Sequence, residues 1–156
     1  MRIFLPRIFS TKHHANWWKN RQINWSKDYL STWNHPHRWF LAHKLRELKW
    51  GSLFEFGTGA GANLVFLAQT FPDRAMGGID ISPEAIKVAA AALPTGVFRV
   101  GTADPLLMSD KSCDVMLTDM TLIYVGPFKI KHYLSELARA SRCYVVLVEF
   151  YHRSWW

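Results

Sequence analysis

The chain has 156 residues, 49% of them hydrophobic and 15% aromatic, and its 19 Lys and Arg outnumber its 12 Asp and Glu for a formal charge of +7. That length fits one domain with a real core, and no apolar run approaches the ~20 residues of a membrane span, so the expectation is a single soluble unit without a spanning helix. The 2 cysteines, Cys113 and Cys143, each start an apolar run, which argues against a disulfide framework and for buried thiols in a reducing, cytoplasmic compartment.

The charge is unevenly placed. Ten of the 19 basic residues fall in residues 1–50, together with only Asp28 and Glu47 as acids and with six tryptophans: Trp17, Trp18, Trp25, Trp33, Trp39 and Trp50. Interleaved cations and aromatics suit phosphates, bases or a headgroup layer, and they suit equally the packing of a helical cap. Residues 1–12 lack periodicity and read as an arm; Arg2, Pro6 and Arg7 break its apolar character, so it is not a secretory signal. Helical spacing of apolar residues predicts helices over 16–29 and 37–48, the second opened by Asn34-His35-Pro36 as cap and first turn. Residues 1–50 are therefore expected to form a basic, aromatic helical lid, and residues 51–156 the core.

From residue 52 strands and helices alternate. A strand over 52–56 breaks into Gly57-Thr58-Gly59-Ala60-Gly61, and a helix over 62–71 follows. A second strand, 75–79, ends at Asp80; Ser82 and Pro83 open an alanine-rich helix that Pro94-Thr95-Gly96 stops. Strands over 97–100, 113–118 and 143–150 and a helix over 128–141 complete the pattern. The fold class is α/β, a doubly wound and mostly parallel five-stranded sheet with an N-terminal helical extension.

The glycine loop carries the chemistry. Glycines allow a sharp strand-to-helix turn and a close ligand approach, but Gly57-Thr58-Gly59-Ala60-Gly61-Ala62 also fits a dinucleotide fingerprint, and Asp80 could hold the ribose of either ligand. Glu55, two residues ahead, tips the balance. A carboxylate there would repel a pyrophosphate, whereas it suits the cationic amino-acid end of S-adenosylmethionine.

Glu55-x-Gly57-x-Gly59-x-Gly61, Gly78-Ile79-Asp80-Ile81-Ser82, Asp110 to Val115 and the helix running into Glu136-Leu137-Ala138-Arg139 together resemble the class I, Rossmann-like S-adenosylmethionine-dependent methyltransferases over residues 50–150. Within them, Leu117 through Leu122-Ile123-Tyr124-Val125 to Glu149-Phe150-Tyr151 resembles small-molecule methylases, some of sugar biosynthesis. The resemblance implies that Asp80 takes the ribose hydroxyls, Ile81 packs on adenine, Glu55 orients the loop and receives the ammonium group, and the backbone of Phe56, Gly57, Thr58, Gly59 and Gly61 cradles the methionyl end. An acid usually follows the glycine after strand three, but here Gly101 is followed by Thr102 and Ala103, and Asp104 comes two places late. Either Asp104 reaches back, or the Thr102 hydroxyl and Ala103 amide meet the adenine.

The implied activity is in-line methyl transfer to a small, sugar- or lipid-like acceptor, with Thr118 at the end of strand four near the donor and Asp119 and Tyr124 as catalytic candidates. Glu149, His35 and His37 are weaker proton acceptors, and His13-His14 lacks a second ligand pair, so no metal site is expected. The Asn/Asp-Pro-Pro-aromatic and Pro-Cys signatures of base methylation are absent, which leaves nucleic acid supported by charge alone. A cofactor-binding scaffold subunit is the other alternative. The usual last two strands are not expected, so strand five should be an edge that a second copy or a partner chain covers.

Overall fold

The structure, a computed structural model, describes residues 11–149, with side chains from Ala15 onward. The expected N-terminal arm and Phe150 of the expected fifth strand lie almost wholly or wholly outside these residues. Five parallel strands, β1 (Ser52–Phe56), β2 (Ala75–Asp80), β3 (Val97–Val100), β4 (Cys113–Asp119) and β5 (Ser141–Val148), form one sheet in the order β3-β2-β1-β4-β5. Chain order reverses between β1 and β4, and a parallel sheet leaves a crevice at that switch point, beyond the carboxyl ends of its strands.

Helices α1 (Thr11–Asn20), α2 (Trp25–Asp28) and α3 (Pro36–Arg46) precede the sheet, while α4 (Ala62–Thr70), α5 (Pro83–Ala92) and α6 (Pro127–Ala140) connect its strands. The helix expected over 16–29 is instead broken. Asn24 turns out of helical geometry and its side chain accepts from Lys27 N, so the competing cap defeats a continuous apolar period. The second expected helix starts where its cap requires: Pro36 occupies the first turn, and the His35 side chain accepts from His37 N at 3.4 Å.

Central strands β1 and β4 are buried nearly throughout, as a sheet covered on both faces demands. On one face Leu41, Ala42 and Leu45 of α3 join Leu53, Leu64, Leu67 and Leu117 in one cluster; on the other, Phe54, Phe56, Met116, Leu137 and Ala140 join Ala103 and Leu106. Helix α3 thus shares the core with β1 and α4. Asp114 ties the strand starts together, its Oδ2 accepting from Gly51 N at 2.7 Å and Ser52 N at 3.1 Å.

Cys113 is buried, and burial pushes its thiol up to about 11. Cys143 corrects the expectation of two buried thiols: it is exposed. It lies on β5, which pairs only with β4 among the described residues and, like Val145 and Leu147, leaves part of one face open.

Candidate active site

A cavity of about 650 Å³ opens at the carboxyl ends of β1, β2 and β4. Its floor is the loop after β1. Gly57 N and Thr58 N donate to Ile79 O at 2.8 and 3.0 Å, hooking the loop over the end of β2. Gly57 stands at φ +75°, and a Cβ there would lie 2.2 Å from Thr121 Oγ1. Both the backbone angle and the neighbour therefore exclude a side chain. Gly59 differs, because an added Cβ would first meet the Trp25 ring, at 3.7 Å.

Two carboxylates frame this loop. Asp80 Oδ2 accepts from Gly59 N at 2.9 Å and Oδ1 from Ser82 N at 2.8 Å, which fixes the group at the end of β2; burial raises its pKa against the lowering effect of these amides. Glu55 is 1% exposed at the end of β1. Its Oε2 accepts from Thr58 Oγ1 at 2.8 Å and its Oε1 from Asn63 Nδ2 at 2.6 Å, yet complete burial dominates and pushes the carboxyl up to about 8.

Asn63 links this floor to a second wall. The same Nδ2 donates to Asp119 Oδ2 at 2.9 Å, and His37 Nε2 lies 3.0 Å from that oxygen. His37 Nδ1 in turn lies 2.8 Å from His35 Nδ1. Arg38, one residue on, is buried, donates from Nη1 to Thr32 O at 2.5 Å and faces Glu55 and Asp119; burial lowers its pKa and those two acids oppose the shift. The mouth is aromatic: Trp18 of α1 meets Tyr124 at 5.1 Å edge-on and Tyr29 at 6.4 Å, while Arg21 stacks 4.9 Å over Trp18. Burial raises the Tyr124 pKa.

Of the residues singled out by motif, Glu55, Phe56, Gly57, Thr58, Gly59, Asp80, Ile81, Thr102, Asp104, Asp119 and Tyr124 line the cavity. Gly61, Ala103 and Thr118 do not. Gly61 starts α4 at φ +78° with Ala89 where a Cβ would go, Ala103 is in the core, and the Thr118 hydroxyl donates to Glu149 Oε1 at 2.5 Å. Glu149 Oε1 also accepts from Thr121 N and Leu122 N, so this acid braces the loop after β4. Asp104 pairs with Lys129 and lies 3.4 Å from His132 Nε2; the Lys129 hydrogen bond holds its carboxyl low. Thr102 Oγ1 accepts from Asp104 N at 3.0 Å.

Asn63 and Arg38 are the residues that motif reasoning missed. Asn63 is the second residue of α4, two places past Gly61, and its signal is a polar residue amid Ala62, Leu64, Val65, Phe66 and Leu67. Arg38 had the signal of a cation one turn into a helix whose neighbours Leu41, Ala42 and Leu45 are buried.

The methyltransferase domain family matches residues 53–143, more than half of the chain. The chain belongs to the class I, Rossmann-like S-adenosylmethionine-dependent methyltransferases. The methyltransferase solved in complex with the Haloferax volcanii Trm112 methyltransferase activator is 26% identical, with a TM-score of 0.62 over 82% of this chain and 55% of that one. A Methanococcus maripaludis S-adenosylmethionine-dependent methyltransferase structure, 13% identical, shares the fold at TM-score 0.64 over 94% of this chain and 67% of that one. A Haemonchus contortus phosphoethanolamine N-methyltransferase solved with S-adenosylhomocysteine, 20% identical, does so at 0.65 over 89% of this chain and 31% of that one. The chain therefore spans about half the length of the Haloferax protein. None of the curated proteins matches it.

The cofactor of this family is S-adenosylmethionine, and the residues present fit it. Gly57 and Gly59 line the cavity beside Asp80, where a ribose and methionyl chain need close backbone, and Glu55 gives a cationic end an acidic neighbour. Among the described residues no group of His, Cys, Asp and Glu could hold a metal, and no helix is long and apolar enough to cross a membrane.

Proposed function

We propose that the protein transfers a methyl group from S-adenosylmethionine to a small-molecule acceptor by in-line displacement. One observation carries this reading: a single cavity joins the glycine cradle and Asp80 to a wall formed by Asp119 and Tyr124, so donor and acceptor have adjoining places. When bound, the sulfonium supplies an electrophilic methyl group. The chain's own residues align the partners and keep water away.

Asp80 would hold the ribose and Ile81 the adenine face, with Thr102 at its edge. The loop from Phe56 to Gly59 would hold the methionyl end, and Glu55 beneath it would favour an ammonium group. Asp104 is committed to Lys129, which favours Thr102 over Asp104 as the adenine contact. Asp119, held by Asn63 and His37, would accept a proton at Oδ1 or Oδ2 from an acceptor that must lose one, and Tyr124 would position that acceptor. The N-terminal helices would close the site through the Trp18–Tyr124 contact. The outer edge of β5, unpaired among the described residues, supports pairing with a second copy of the chain or with a partner chain, and the Haloferax methyltransferase solved in complex with the Trm112 activator is a precedent for a partner.

Calorimetry with S-adenosylmethionine and S-adenosylhomocysteine, followed by mass-spectrometric detection of S-adenosylhomocysteine over a panel of amines, hydroxyls and acids, tests the proposal. Binding with product formation is expected. Binding without turnover across the panel would favour a scaffold subunit, and failure to bind either compound would remove the enzyme.

A further inference from the structure

The acidic residues of the cavity are out of proportion to the chain. A protein of formal charge +7 lines this space with five acids, Asp28, Glu55, Asp80, Asp104 and Asp119, against Arg38, Lys129 and the imidazole of His37. Each of those groups faces an acid: Lys129 binds Asp104, His37 Nε2 lies 3.0 Å from Asp119 Oδ2, and Arg38 lies between Glu55 and Asp119 while donating to Thr32 O. Among their donors only Arg38 Nε is buried without a partner among the described residues.

Acceptors are left over as well. Asp80 is engaged by the amides of Gly59 and Ser82, and Glu55 by Thr58 and Asn63. At Asp119, however, Asn63 Nδ2 and His37 Nε2 both converge on Oδ2, which leaves Oδ1 without a donor among the described residues. Asn63 is 7% exposed, gives its Nδ2 to both carboxylates, and keeps a buried Oδ1 with no donor among the described residues. A buried, unpaired acceptor is costly, and the group that relieves it must donate. The rings of Trp18, Tyr29 and Tyr124 line the same cavity.

We infer that the acceptor is an organic amine, entering as an ammonium ion that Asp119 and Asn63 receive while its apolar body lies against Trp18, Tyr29 and Tyr124. This deepens the proposed function and rests on it. The step balances without a co-reactant. The ammonium gives one proton to the Asp119 carboxylate beside His37, the freed nitrogen lone pair forms the new N–C bond, and the breaking C–S pair stays on sulfur. The products are the methylated ammonium ion, S-adenosylhomocysteine and one proton for solvent. Exposed His35, 2.8 Å from His37, lies on the way out.

The test uses the full chain at neutral pH. Calorimetry first measures S-adenosylhomocysteine binding; the loaded protein is then titrated with phenethylamine, phenethyl alcohol and hydrocinnamate, with tryptophan fluorescence as readout. Phenethylamine should bind about tenfold tighter than the alcohol, since a charge-assisted hydrogen bond is worth that much, and hydrocinnamate weakest. Asp119→Asn should erase the amine's advantage while S-adenosylhomocysteine binding shows that the cradle is folded. If that variant does not fold, the wild-type ranking decides alone. Hydrocinnamate or the alcohol binding as well as the amine, or no binding of the amine, overturns the inference and leaves the proposed function standing. Absence of S-adenosylhomocysteine binding would instead remove the proposed function, and the inference with it.

Discussion

The floor of the cavity and its N-terminal cover are built by different means. The floor is backbone geometry: amides of residues 57 and 58 hang on Ile79 O, and Asp80 accepts from Gly59 N. The cover is side-chain contact, with Trp18, Trp25, Tyr29 and Tyr124 meeting ring to ring and Arg21 stacked outside them. Backbone hydrogen bonds fix positions tightly, whereas ring contacts are individually worth about a kcal/mol and can part. We propose that the floor stays fixed while the cover opens, each by its own physics.

The comparison breaks first at the floor. Gly57→Ala sets a methyl group 2.2 Å from Thr121 Oγ1 at a backbone angle alanine avoids, so calorimetry should find S-adenosylmethionine binding abolished. Beneath the floor, Leu64→Ala opens a hole in a fully buried position and should cost ~2–5 kcal/mol in chemical denaturation. Glu55 sharpens the contrast through pH. Its folded carboxyl, at about 8 against an ordinary 4.5, makes the folded state bind more protons than the unfolded one, so stability is greatest below pH 4.5 on this account and falls as pH rises toward 8. Glu55→Gln should flatten that slope in pH-dependent denaturation. At neutral pH a cationic ligand should also expel the Glu55 proton, and calorimetry in buffers of different ionisation enthalpy should lose that release in Glu55→Gln.

At the cover, Trp18→Ala should leave the fold's denaturation midpoint nearly unchanged and weaken ligand retention by roughly tenfold in stopped-flow dissociation, the worth of one or two ring contacts. The smallest change lies far from both regions. Arg142→Ala removes a half-exposed partner of Asp114 and should cost under ~1 kcal/mol, because Asp114 keeps its bonds to Gly51 N and Ser52 N.

The same division decided what could be read from sequence. Strand and helix alternation, Gly57 to Gly61 and Asp80 are local signals, since spacing along the chain sets their geometry, and strand ends fell within two residues of expectation. The cover was legible as helical and aromatic but not as broken at Asn24, where a cap competes with the apolar period. Asn63 and Arg38 were missed because their work is done across space, with Asp119 lying 56 residues from Asn63 in sequence. Position at the end of β4 does not tell where the Thr118 hydroxyl points, which is to Glu149, and loop position does not tell that the Ala103 side chain packs into the core. Cys143 misled because an apolar run on an edge strand still has an open face.

The most direct measurement is equilibrium binding of S-adenosylmethionine and NAD to the wild type and Asp80→Asn. The account predicts that the wild type binds S-adenosylmethionine and not NAD, and that Asp80→Asn loses about tenfold or more of that affinity through its weakened hold on ribose and on Gly59 N. Binding of NAD with indifference to S-adenosylmethionine, or an unchanged affinity in Asp80→Asn, would contradict it.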